Sequence, residues 1–359
     1  ERRTYIAQSG LIGKNGTDTA NGRPLFQSQK SAYILEEGNN SISVDLSTVD
    51  KGVSITKRFT FTRESYLIDV SYLIKNDSSE NWEAAFYGQT KRDASQDPAA
   101  DNGNIGMSPY LGFATTTADE RFKKIDFEDI QEQPFSNTRQ GGWIAMIQHY
   151  FLSAWIPDAE QEHEYSTIKS RNGFYLARIK SPVSTIAAGS EGTIKASFYA
   201  GPKNQYRLEE ISEGLDLSVD YGILWMIAQP LYALLYFFNK GEFHMFGLDM
   251  DIFSGIGNWG FSIILLTLFV KVCFFSLNAK AYTSMAKMRA IQPKMLEIKD
   301  RYADDKQRQS KEMMALYSKE GVNPLGGCLP MLVQMPVFMA LYWVLLESVE
   351  LRHAPFIGY

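Results

Sequence analysis

The chain has 359 residues, 45% of them hydrophobic and 21% charged, with a formal net charge of -5. That length suffices for two domains, and the slightly acidic balance excludes a basic footprint for nucleic acid. The two cysteines, Cys273 and Cys328, exclude a disulfide framework, and neither they nor the four histidines stand at metal-ligand spacing.

The averages hide a division. Residues 1–215 mix both charge signs as a globular domain does, whereas residues 216–359 hold three long apolar runs. The chain opens at Glu1 with no methionine and no signal peptide, and closes at Tyr359 just past an apolar run. A fragment of a longer polytopic protein is expected.

In the first 200 residues, Ser41–Ser47, Val53–Thr62, Tyr66–Ile74, Trp82–Gln89, Gly173–Ile179 and Gly192–Ala200 alternate with period two. Asn76-Asp77, Asp101-Asn102-Gly103, Asn172-Gly173 and Gly201-Pro202 read as the turns between them. Short alternating strands separated by such turns predict a β-sandwich. Trp143, Tyr150, Phe151 and Trp155 read as sandwich core. Lys203–Gly214 reads as a short polar helix leading away from the sandwich.

Tyr221–Phe238 is an uncharged run of 18 residues, long enough to span a bilayer. Pro230, Gln229 and the aromatic residues Tyr221, Trp225, Tyr232 and Tyr236 argue instead for a helix lying in the outer interface. Both readings stand at this point. Trp259–Phe275, WGFSIILLTLFVKVCFF, has 17 residues and one charge, Lys271, and is the better span. Residues 277–320 carry ten Lys and Arg against six acids, while the loop before the span is acidic. The positive-inside rule therefore puts residues 277–320 in the cytoplasm and the β-domain on the opposite side.

Met288, Ile291, Met295, Ile298 and Tyr302 recur at spacings of three and four, the seam of a helical hairpin. Asp304 or Asp305 is placed to cap the return helix, on which Met313, Met314 and Tyr317 form the facing stripe. Asn323-Pro324 ends it. Leu325–Leu346, 22 uncharged residues with Pro330, Pro336 and Gln334, recrosses to the outer side, with kinks expected at the two prolines.

No nucleophile elbow, phosphate loop or zinc-ligand spacing occurs, so no enzyme, cofactor or metal is expected. The candidate site lies in the spans. Lys271 costs about 2.5–3.5 kcal/mol at a bilayer centre, which makes an intramembrane lysine a functional candidate. Thr267 shares its helix face, Asn278 continues that face toward the cytoplasm, and Gln334 adds a polar group from the second span. Together they predict a wet, positively charged recess open to the cytoplasm. The alternative is that Lys271 snorkels across about 6 Å of helix rise to the interface.

NWGFSIILLTLFVK (Asn258–Lys271), AYTSMAKMRAIQPKM (Ala281–Met295), DDKQRQSKEMMALY (Asp304–Tyr317), NPLGGCLPMLVQMPVF (Asn323–Phe338) and ESVELRHAPF (Glu347–Phe356) resemble the YidC-type bacterial membrane protein insertases. The likeness is dense from residue 205 onward and more diffuse before it. It implies an all-β periplasmic supersandwich, a multidomain chain with an α-helical membrane region, an interfacial helix before the first core span and a cytoplasmic helical hairpin. The implied layout is a periplasmic domain over 1–202, a linker and interfacial helix over 203–258, spans over 259–276 and 324–349, the hairpin over 277–323 and the start of a periplasmic segment over 350–359.

The resemblance also implies a non-enzymatic insertase and chaperone of the inner membrane, with nascent membrane proteins, the Sec translocon, the ribosome and membrane lipids as partners. It places Lys271 at the family's basic groove position, where many members have arginine, and Thr267 and Gln334 at groove-lining positions. The family's first span and last three core spans lie outside this chain, so a complete groove is not expected from it alone. A competing reading is a membrane-tethered periplasmic module that binds sugars or partner proteins.

Overall fold

Alternation at period two decides the first half of the chain. In the computed structural model, which describes residues 3–19, 22–95, 109–245, 248–251, 253–323, 326–327 and 329–356, two units separate at Asp220. The first unit is built on two antiparallel sheets. The five-stranded sheet has the order β1 (Tyr5–Ile12), β6 (Trp82–Arg92), β13 (Tyr175–Ile186), β12 (Glu162–Lys169), β9 (Ser136–Gln140). The nine-stranded sheet runs β2 (Gln27–Ser28), β3 (Ser41–Asp50), β4 (Val53–Thr62), β5 (Leu67–Asn76), β14 (Glu191–Pro202), β11 (Phe151–Pro157), β10 (Ile144–Ile147), β7 (Gly112–Thr115), β8 (Lys123–Ile125).

One core joins the sheets. Tyr72 and Trp155 of the larger sheet each meet Phe86 of the smaller one edge-on, with ring centroids 6.0 Å apart. Ile55, Val70, Tyr165 and Ile179 fill the space around them. A second cluster, with Trp143, Ala145, Leu152, Ala154 and Tyr199, covers the opposite face of the larger sheet. There β10 is buried at all four positions, because both of its faces are covered.

After the short helix α1 (Phe127–Glu132), helix α2 (Gln205–Ile211) closes this second cluster instead of leading away from the sandwich. Asn204 caps it by accepting from the Arg207 amide at 3.1 Å. Leu208 and Leu215 are wholly buried, and Trp143 Nε1 donates to Glu213 O at 3.0 Å. Residues 203–220 thus belong with the β unit and not to a linker. Gly201-Pro202 forms no turn; it ends β14, paired with Leu152 and Phe151. Trp143 and Trp155 are core as expected, but Phe151 is half exposed. Asp101-Asn102-Gly103 lies outside the described residues.

In the second unit, a 3-10 turn (Gly222–Leu224) leads into α3 (Trp225–Lys240), which ends on left-handed Gly241. The acidic connection contains a hairpin, β15 (Glu242–Met245) with β16 (Leu248–Asp251). Asn258 caps α4 (Trp259–Cys273). The chain then bends by 59° at Phe274 into α5 (Phe275–Arg301), so residues 259–276 do not form one straight helix.

Asp305, not Asp304, caps α6 (Lys306–Lys319), accepting from the Arg308 amide at 3.0 Å. The α5 seam holds: Ile291 is buried and Met288, Met295, Ile298 and Tyr302 are half-buried. On α6 the facing stripe is Met313, Leu316 and Tyr317, while Met314 is 69% exposed. Lys294 Nζ donates to Glu320 Oε1 at 2.7 Å across the hairpin.

Helix α7 runs unbroken over Leu329–Glu347, with Pro330 in its first turn and Pro336 inside. Pro324, Leu325 and Cys328 lie outside the described residues. Helix α7 and the stretch from Gly222 through α3 are long and apolar enough to cross a membrane, as is α4 when joined to α5.

Candidate functional site

Helix α4 carries Thr267 and Lys271 one turn apart. Thr267 Oγ1 donates to Ile263 O at 2.8 Å, so its hydroxyl is satisfied within its own helix. Lys271 lies in the last turn, where a cation complements the negative end of the helix dipole. Its side chain is exposed, and its Nζ stands 5.8 Å from the centroid of the Phe338 ring on α7. A cation over an aromatic face is attracted by the ring quadrupole.

Gln334 is one turn before Phe338 and shares its face. It is 9% exposed in a helix whose other residues are largely open, and its Nε2 makes no hydrogen bond among the described residues. Burying an amide donor without a partner costs about 1–3 kcal/mol. That cost makes the Gln334 amide a candidate contact for a polar ligand.

Asn278 falls beyond the 59° bend, on α5, where its side chain is half-buried. The spacing of seven from Lys271 assumed one straight axis; the bend turns Asn278 onto a different one. Phe338 is not legible as a site residue from sequence, because a phenylalanine in an apolar run carries no signal of its own. Its spacing of four from Gln334 was the available clue.

The outer ends of the helices are tied together. Tyr232 OH donates to Glu350 Oε1 at 3.2 Å, and Asn258 Nδ2 donates to Pro355 O and Phe356 O at 3.2 and 2.9 Å. Burial raises the Glu350 carboxyl above its ordinary range. These bonds fix α3 and the start of α4 against the segment that follows α7.

Comparison with known proteins falls on both halves of the chain. A family model described as the YidC periplasmic domain matches residues 1–234, and one described as the 60Kd inner membrane protein matches residues 251–359. The chain is similar to the membrane protein insertase YidC of Alcanivorax borkumensis, 54% identical over 359 residues, covering 98% of this chain and 62% of that one. It is also similar to the membrane protein insertase YidC of Cellvibrio japonicus, 56% identical over 357 residues, covering 99% and 62%. The chain thus spans about three-fifths of the length of the curated relatives it matches.

Proposed function

The chain belongs to the YidC family of inner-membrane proteins, and we propose that it supplies the periplasmic domain and part of the membrane core of an insertase for transmembrane segments. The single observation that carries the proposal is the set of polar groups within apolar helices: Lys271 beside Phe338, with Gln334 one turn away.

In this reading, residues 1–202 face the periplasm and the basic hairpin of α5 and α6 faces the cytoplasm, as the charge asymmetry requires. Helix α3 lies in the outer interface. Exposed Trp225 and Met226 at its start, with Ile223 in the turn before it, support that placement, since aromatic and apolar groups favour the headgroup boundary.

Insertion proceeds without a nucleotide cofactor and without covalent chemistry. Lys271 attracts acidic residues in the polar tail of a nascent membrane protein. Thr267 and Gln334 hydrate the path and shorten the apolar distance the tail crosses, and Asn278 lies beyond the bend at its cytoplasmic end. The substrate's helix then moves along α4 and α7 into lipid, driven by about 25 cal/mol per Å² of apolar surface removed from water. The hairpin receives the chain from the ribosome or the Sec translocon. The remaining walls of the groove come from helices outside this chain.

The test restores the flanking family segments and replaces Lys271 with Ala, Glu or Arg. Substrates with acidic tails are expected to insert poorly with Lys271→Glu and well with Lys271→Arg. Equal insertion of every acidic-tailed substrate by Lys271→Glu would sink the electrostatic role. Photo-crosslinkers at positions 267 and 334 are expected to capture a stalled nascent chain.

A further inference from the structure

The outer face of the five-stranded sheet carries a feature that membrane insertion does not use. Strand register places Gln8, Gln89, Arg178, Ser166 and Ser136 in one continuous row across β1, β6, β13, β12 and β9. The next row on the same face sets Tyr87 opposite Lys180 and Lys180 opposite Glu164. A cavity of about 470 Å³ opens over both rows.

The charges in this cavity do not balance. Lys180 Nζ pairs with Glu164 Oε2 at 3.1 Å. Arg23, which also lines the cavity, pairs with Asp18 at 3.1 Å, and Tyr87 OH donates to the same carboxylate at 2.6 Å. Arg178 is the cation left over. It is half-buried, and its Nε is buried without a hydrogen bond among the described residues. Burial lowers its pKa, the mark of a guanidinium that has lost water and gained no counter-ion. Hydroxyls from Ser166 and Ser136 and the Gln89 amide flank it.

We propose that this cavity binds a small hydroxylated molecule through its oxyanion, a carboxylate or a phosphate monoester, with Arg178 as the principal contact. Guanidinium pairs with such groups through charge-assisted, often bidentate hydrogen bonds. The cavity is large enough for a small molecule beyond a lone ion, and its polar lining suits hydroxyls on the ligand body.

The test is calorimetric titration of the chain in detergent micelles with glycerol 3-phosphate and with gluconate, and with neutral sorbitol as control. At least one anion is expected to bind saturably and more weakly at high salt, and sorbitol not at all. Arg178→Gln is expected to weaken binding about tenfold or more, and Arg178→Lys to retain part of it. Ser166→Asp keeps the arginine but supplies a carboxylate on the opposite strand, and is expected to abolish binding. Thermal unfolding of each variant checks that the β unit is intact. Competition by nanodiscs containing phosphatidic acid, whose headgroup is a phosphate monoester, assigns the oxyanion to a lipid headgroup; absence of competition assigns it to a soluble ligand. The proposal fails if neither anion binds saturably, if sorbitol binds equally well, or if folded Arg178→Gln and Ser166→Asp bind as wild type does.

Discussion

Lys271 Nζ lies 5.8 Å from the centroid of the Phe338 ring, a contact between α4 and α7. The ring face gives the lysine an attractive surface on the protein, so its position is not set by escape to the interface alone. A double-mutant cycle of Lys271→Met and Phe338→Leu keeps apolar bulk at both sites while removing the interaction. Unfolding in micelles is expected to give a coupling of about 0.5–2 kcal/mol. A coupling of zero would mean that the two side chains are only neighbours.

Gln334 separates the demands of stability from those of the proposed activity. Its amide nitrogen is buried without a partner, so Gln334→Met is expected to leave the melting temperature unchanged or higher. The same change is expected to reduce crosslinking of a nascent chain in the full-length protein. A clear fall in melting temperature would instead assign Gln334 to helix packing.

How much of this was legible follows from which faces are covered. Val53–Thr62 was readable because it alternates, and the structure keeps those bounds for β4. Strand β10 was not readable, because a second core cluster covers its outer face and abolishes the alternation. Strand β12 alternates, but its inward residues are His163, Tyr165 and Thr167, two of them polar, so the apolar signal is missing. In the membrane unit, Lys271 and Gln334 stood out as polar residues in apolar runs. The Phe338 contact is tertiary, and the bend at Phe274 falls where no proline or glycine announces it.

Asn76 closes the end of β5 from inside the fold. It is wholly buried, and the two hydrogens of its Nδ2 serve three carbonyls, Glu80 O at 2.8 Å, Ile186 O at 3.0 Å and Ala187 O at 3.2 Å, one of them shared. Its Oδ1 accepts from Ser78 Oγ at 2.6 Å. Asn76→Ala removes every one of these bonds. Urea unfolding of the β unit is expected to show a loss of about 2–3 kcal/mol, whereas Ser78→Ala costs less. Equal costs for the two variants would place the stabilisation in the turn and not in the asparagine.

Gly88, on β6, lies against the ring of Trp155 from the larger sheet. A Cβ at this position would lie 2.7 Å from Trp155 Cδ2 and 3.1 Å from Ile179 Cγ2. Gly88→Ala is expected to cost about 1–3 kcal/mol by overpacking, and Gly88→Val more. A neutral Gly88→Ala in thermal unfolding would show that the indole can withdraw freely.

Lys57 gives the β unit a pH dependence of defined sign. Its Nζ donates to Ser9 O at 3.1 Å and stands 5.0 and 5.4 Å from the Phe59 and Tyr72 rings. Burial pushes its pKa down to about 8, with Asp18 partly opposing and Arg23 reinforcing the shift. The unfolded chain keeps this proton to about pH 10.4, so between the two values it binds more protons than the folded chain does. Stability from this group therefore rises with pH above about 8, at no more than about 1.4 kcal/mol per pH unit. Burial pushes neighbouring Tyr72 and Tyr87 up, and they act in the opposite sense once unfolded tyrosines ionise near pH 10. Urea midpoints are therefore best compared between pH 8 and 9.5. Wild type is expected to gain stability across that window and Lys57→Met to stay flat. An equal gain in the variant would locate the titration elsewhere.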